Sequence, residues 1–149
     1  MGVIFDDLKG KHVLITGGAG GIGGGLTPAF AQQGSRVTIL DKDAQNAQAL
    51  VDKCRTAGGD VHFYQVDLTE TDQLVIVLKQ VQQELGAVNV LINNAGYDPR
   101  YNLIEMTEKQ WDDLFKLNVG HYFITCRELI PGMIKAGGGS IIMTTSHQF

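Results

Sequence analysis

Short runs of apolar, mostly β-branched residues alternate along this chain with longer stretches whose apolar positions recur at helical spacing. His12-Val-Leu-Ile-Thr16, Arg36-Val-Thr-Ile-Leu40, Val61–Val66 and Val88–Ile92 read as strands, with Ser140–Thr145 as a fifth. After the first strand, Ile22, Leu26, Ala29 and Phe30 share one helical face, and Gly34 ends that helix. Asp43 is placed to cap a second helix to about Ala57, which Gly58-Gly59 closes. Thr69 to Gly86 carries the third helical pattern. Thr107-Glu-Lys-Gln110 has the form of a capping box for one long helix to about Lys135. Pro28 disturbs the first helix, because its ring excludes a hydrogen bond and crowds the carbonyl four residues back. With Gly23, Gly24 and Gly25 just upstream, that helix needs ligand or tertiary contacts to hold its start.

Strand and helix in strict alternation imply right-handed βαβ units and a parallel sheet with helices on both faces. The strand runs are nearly all apolar, as strands buried on both faces should be. The expected fold is α/β, a doubly wound parallel sheet truncated after the fifth strand, with residues 1–149 as one domain incomplete at its C-terminal end.

Composition narrows the function classes. Lys and Arg number 12 against 16 Asp and Glu, a formal charge of −4, so no basic face is expected for nucleic acid or anionic membrane. No apolar run approaches the ~20 residues of a membrane span, and the N-terminus lacks a secretory layout. Cys54 and Cys126 stand far apart without a CxxC partner, which fits core thiols in a reducing cytoplasm. His12, His62 and His121 have no metal-ligand spacing, so no metal site is expected.

Candidate chemistry begins at Thr16-Gly-Gly-Ala-Gly-Gly-Ile-Gly23, between the first strand and its helix. Glycines there allow a tight turn and close approach of a pyrophosphate to free N–H groups at the helix start. Gly17, Gly20, Gly21, Ile22 and Gly23 are therefore candidate dinucleotide contacts. Asp41, at the end of the second strand, can accept hydrogen bonds from a ribose diol and would repel a 2′-phosphate. Its structural alternative is a helix cap, for which Asp43 is better placed. The glycine loop carries no Arg or Lys and Lys42 is the nearby cation, so NAD is favoured over NADP.

The spacing Gly17-x-x-x-Gly21-Ile-Gly23 resembles the Thr-Gly-x-x-x-Gly-Ile-Gly signature of the classical short-chain dehydrogenases/reductases. Val66-Asp67-Leu68 resembles that family's adenine-contacting segment, and Asn93-Asn-Ala-Gly96 matches its motif after strand four. Asn118 stands where the family has its catalytic asparagine, and Ser140-Ile-Ile-Met-Thr-Thr-Ser146 resembles the strand ending in its catalytic serine. These matches follow the family's order and span the chain. The resemblance implies a Rossmann-like fold and hydride transfer between a nicotinamide and an alcohol or ketone. It further implies cofactor contacts at Asp67, Leu68, Asn93, Ala95 and Gly96. Asn118 would hold a water in a proton relay, and the Ser146 hydroxyl would polarise the substrate oxygen. It also implies a dimer or tetramer packed through the long helix. From the residues themselves, Asn118 falls among Trp111, Leu114, Phe115 and Tyr122 on one helical face, where a buried amide must be hydrogen-bonded.

The family's Tyr-x-x-x-Lys pair does not occur in these 149 residues. The fifth strand is as apolar as a central strand, yet no element follows to cover its edge. Domains of this type often run to ~200–250 residues, so about 100 more are expected beyond Phe149. On that reading the chain is the N-terminal part of an oxidoreductase and is inactive alone. Two alternatives stand beside it. One is a non-catalytic NAD-binding module acting through a partner or self-association. The other is an S-adenosylmethionine methyltransferase, against which Asn93-Asn-Ala-Gly96 and Gly21-Ile-Gly23 argue.

Overall fold

The computed structural model describes residues 3–145. Five parallel strands form one sheet: β1 (His12–Thr16), β2 (Arg36–Asp41), β3 (Asp60–Gln65), β4 (Val90–Asn93) and β5 (Ser140–Met143). Their spatial order is β3-β2-β1-β4-β5, so the winding reverses between β1 and β4. The helices between them are α1 (Gly21–Gln32), α2 (Ala44–Thr56), α3 (Thr71–Leu85), α4 (Glu108–Phe115) and α5 (His121–Lys135). This is the expected doubly wound, Rossmann-like arrangement, in which a crevice opens where the strand order reverses.

Alternate residues of each strand feed two cores. Leu14, Leu40 and Leu91 pack with Leu74, Leu78 and Val81 of α3 and with Leu129 and Met133 of α5. Val13, Ile15, Val37 and Ile39 pack on the other face with Ala31 of α1 and with Ala47, Val51 and Cys54 of α2. β1 and the middle of β2 are inaccessible from both faces, which accounts for their unbroken apolar character.

Several boundaries differ from expectation for identifiable reasons. Asp43 caps α2 by accepting from Asn46 N–H, as its position predicted. The third helix starts at Thr71 rather than Thr69, because Asp67 Oδ1 takes the Thr69 N–H at 2.9 Å and hydroxyl at 2.7 Å. That local turn diverts the backbone from helix. The capping box at Thr107 and Gln110 is present in both directions, but the long helix is not continuous. A π-helical turn, Lys116–Gly120, separates α4 from α5. Such wide turns insert an extra residue into a helix and shift the face that follows. The expected buried stripe is also corrected, since Trp111 and Phe115 are 53% and 54% exposed. Pro28 lies inside α1 without ending it. The Thr27 hydroxyl donates to the Gly18 carbonyl at 3.0 Å, one of the tertiary contacts the weak helix start required.

Candidate nucleotide site and its relatives

At the carboxyl ends of β1 and β4, the topology places the glycine loop opposite Asn94-Ala-Gly96. A cleft of about 540 Å³ opens there, within the usual range for small-molecule sites. Gly17, Gly20, Gly21 and Ile22 line one wall, Asp41, Asp67 and Leu68 the far end, and Ala95, Gly96 and Tyr97 the opposite wall. Most of the cofactor-contact candidates therefore share one cavity. Two do not line it: Gly23 and Asn93.

The loop's shape follows from contacts that a side chain would destroy. Gly17 has φ +66°, and a Cβ on it would lie 2.9 Å from Ala95 Cα. A Cβ on Gly23 would come to 2.1 Å from the Gly17 carbonyl oxygen. Gly23 thus serves the closeness of helix and loop rather than the cleft wall. Gly20 stands at the N-cap with no side-chain hydrogen bond, so the first N–H groups of α1 are left to an anion.

Asp41 does more than face the cleft. Its Oδ2 accepts from Ala19 N–H and its Oδ1 from Asp43 N–H, each at 3.0 Å. Each carboxylate oxygen keeps a lone pair, so a diol can still be bound. Asp67 is held below the usual carboxylate range by the Thr69 N–H and hydroxyl, with Lys42 and Lys116 adding to the effect. The bonds from Thr69 go to Oδ1.

Thr16 is the junction that residue typing missed. Its hydroxyl oxygen accepts from Asn94 N–H at 3.0 Å and Ala95 N–H at 3.1 Å, tying the end of β1 to the loop after β4. Asn94 returns the tie by donating its amide to the carbonyls of Thr16 and Gly17. Asn93 instead lies fully buried in the core, accepting from the Thr125 hydroxyl at 2.8 Å. The strand pleat separates the two amides, one turned to the core and one to the loop.

Asn118 sits in the π-helical turn. Its Oδ1 accepts from Tyr97 N–H at 2.8 Å and its Nδ2 donates to the Tyr97 carbonyl at 2.9 Å. Both ends of the amide bond the backbone of one residue, Tyr97, which fixes the chain segment leaving the cleft. Tyr122, on α5, donates its hydroxyl to the Thr144 carbonyl at 2.7 Å, anchoring the chain just past β5. Ser146, the other catalytic candidate, lies outside the described residues.

The sheet order and the helices on both faces define a Rossmann-like α/β fold. The sequence model for short chain dehydrogenases matches residues 11–148, and the chain belongs to that family. Its relatives include a probable galactose dehydrogenase, GalD, of Rhizobium meliloti, 40% identical over 146 residues. That alignment covers 97% of this chain and 57% of GalD. D-xylose 1-dehydrogenase of Caulobacter vibrioides is 40% identical over 141 residues, covering 93% of this chain and 54% of the relative. Among solved structures, an NADH-dependent reductase complexed with NAD superposes with a TM-score of 0.84 at 31% identity. It covers 93% of this chain and 60% of that one. The chain thus spans a little over half the length of the curated relatives it matches. No helix among the described residues is long and apolar enough to cross a membrane.

Proposed function

We propose that the protein is an NAD(H)-dependent oxidoreductase interconverting an alcohol and a ketone or aldehyde, with residues 1–149 forming its nucleotide-binding domain. The cleft carries this reading, because it joins uncapped helix N–H groups to two carboxylates at its far end. Free N–H groups suit a pyrophosphate, and Asp41 suits a ribose diol. A bound nicotinamide would supply or take up the hydride. The chain's own residues bind and orient it: the glycine loop at the phosphates, Asp41 at the ribose, Asp67 and Leu68 at the adenine.

A 2′-phosphate at Asp41 would meet a carboxylate already fixed by two N–H groups, which supports NAD over NADP. With its amide committed to Tyr97, Asn118 would serve a proton relay through its main-chain groups. Ser146 is proposed to polarise the substrate oxygen, a reading supported by the resemblance and by Thr144 reaching the cleft. No Tyr-x-x-x-Lys pair occurs in these 149 residues, so the chain alone is proposed to bind cofactor without turnover.

Relatives named for galactose, D-xylose and D-threitol support a polar, polyhydroxylated substrate. Tyr97, which lines the cleft, would face it. Trp111, Phe115, Val119 and Phe123 form an exposed row four residues apart, and this supports a homo-oligomer packed through α4 and α5. Free Cys54 and Cys126 are consistent with a cytoplasmic site. The test is turnover by the full-length protein with NAD and NADP against aldoses, polyols and a 3-oxoacyl thioester. NAD-dependent oxidation of an aldose or polyol, lost in Asp41→Ala, is the expected result. A preference for NADP overturns the cofactor assignment, and binding without turnover favours the non-catalytic module.

A further inference from the structure

His121 is 1% exposed, and no role in the proposed chemistry uses it. Its Nδ1 lies 2.7 Å from the Leu117 carbonyl, and its Nε2 lies 3.2 Å from the Thr16 hydroxyl oxygen. A carbonyl only accepts, so Nδ1 carries the proton. In a neutral ring Nε2 is then the acceptor, and the Thr16 hydroxyl donates to it. That leaves two lone pairs on the Thr16 oxygen, and the N–H groups of Asn94 and Ala95 take them. The junction is saturated, with one donor and two acceptor positions all used.

From this we infer that His121, in its neutral Nδ1–H form, is a positioning residue that locks two walls of the nucleotide cleft together. Leu117 lines one side of the cleft, and Asn94 and Ala95 line another. His121 itself lines neither; it bonds the Leu117 carbonyl four residues back and, 105 residues away in sequence, Thr16, which holds Asn94 and Ala95. The inference rests on the proposed nucleotide site, because its effect is read as cofactor affinity.

Protonation would convert Nε2 into a donor aimed at Thr16. Three donors would then compete for two lone pairs, so the Asn94 bond, the Ala95 bond or the imidazole contact must be released. The groups facing the ring are Thr16 from β1, the Leu117 carbonyl from the π turn and the Tyr122 ring, edge-on at 4.6 Å between centroids. Tyr122 is titratable, but burial pushes its phenol up, so it stays neutral. No charged side chain among the described residues bears on the ionisation of His121. Burial lowers it from the ordinary imidazole value, and the Leu117 contact opposes that in part. The neutral junction is therefore complete above the ordinary imidazole range and is lost as pH falls through the lowered folded value.

The test is NADH affinity of the full-length protein, measured by titration calorimetry between about pH 5 and pH 8, the range of histidine switching. His121→Phe removes the acceptor, and binding should weaken about tenfold at neutral pH, the cost of roughly one such bond. His121→Gln offers an oxygen that accepts from Thr16 and does not titrate. It should recover most of the affinity and flatten the acid limb of the profile. Histidine nitrogen shifts in the unliganded protein should show Nδ1–H. Wild-type affinity in His121→Phe, an unchanged acid limb in His121→Gln, or an Nε2–H ring would overturn the inference. Absence of NADH binding by the wild type at every pH would instead overturn the proposed function, and the nitrogen shifts would still decide the tautomer.

Discussion

Among the described residues, the two flanks of β1 are covered to different extents. On one side, β2 and β3 lie between α1, α2 and α3, and the interior residues of β2 are inaccessible. On the other, β4 pairs with β5, whose Ile141, Ile142 and Met143 are 37%, 47% and 49% exposed. Both strands carry aliphatic residues at their centres, Val37, Ile39 and Leu40 in one and Ile141 and Ile142 in the other, so composition does not distinguish them. The difference lies in whether helices lie over both faces. Between the flanks, at the β1–β4 reversal, polar groups rather than apolar packing fix the geometry. Thr16, Asn94, Asn118, His121 and Asp41 each hold backbone or one another. Among the described residues, apolar packing fixes the first flank, and polar ties fix the reversal point.

The largest expected effect breaks the reversal point itself. Gly23→Val should cost about 3 kcal/mol or more through overpacking against the Gly17 carbonyl, and it should abolish cofactor binding. Thermal melts and NADH titration check both consequences. Next comes Thr16→Val, which leaves the N–H groups of Asn94 and Ala95 without an acceptor. A loss of about 3 kcal/mol is expected, from unsatisfied donors at ~1–3 kcal/mol each. Denaturant titration measures it, and an unchanged midpoint would show that the junction carries no stability.

How much of this was legible follows the distance over which each signal acts. The glycine spacing, the Asp43 cap and the Thr107–Gln110 capping box are local, and the sequence displays them directly. The doubly wound parallel sheet also followed from the alternation of strand and helix. The π turn was not legible, because residues 107–135 keep a helical pattern through a single inserted residue. The separate duties of Asn93 and Asn94 depend on the strand pleat at the point where β4 ends. Pairing of Thr16 with His121 depends on folding alone, since nothing local marks either residue as the other's partner. Exposure of Trp111 and Phe115 reflects what packs over them, which helical periodicity does not report.

Smaller effects sharpen the contrast between the flanks. His12 and His121, the first residues of β1 and α5, are both lowered chiefly by burial. Unfolding exposes them to ordinary protonation, so stability should be full above the ordinary imidazole range and fall as pH drops below it. Urea midpoints across that range check the sign. On the open flank, Phe123→Lys should change monomer stability by no more than about 0.5 kcal/mol, as exposed sites do. The same change should weaken self-association, which sedimentation would detect. Equal sensitivity of β2 and β5 to polar substitution in the 149-residue chain would contradict the comparison altogether.

The β1–β4 crevice is proposed as a nicotinamide dinucleotide site governed by Asp41. Calorimetric titration of NADH and NADPH into the full-length protein and into Asp41→Ala tests it most directly. Saturable NADH binding, tighter than NADPH and weakened about tenfold or more by Asp41→Ala, is the predicted result, the loss matching a charge-assisted hydrogen bond. A folded protein that binds neither dinucleotide, or binds NADH equally well without Asp41, would contradict it.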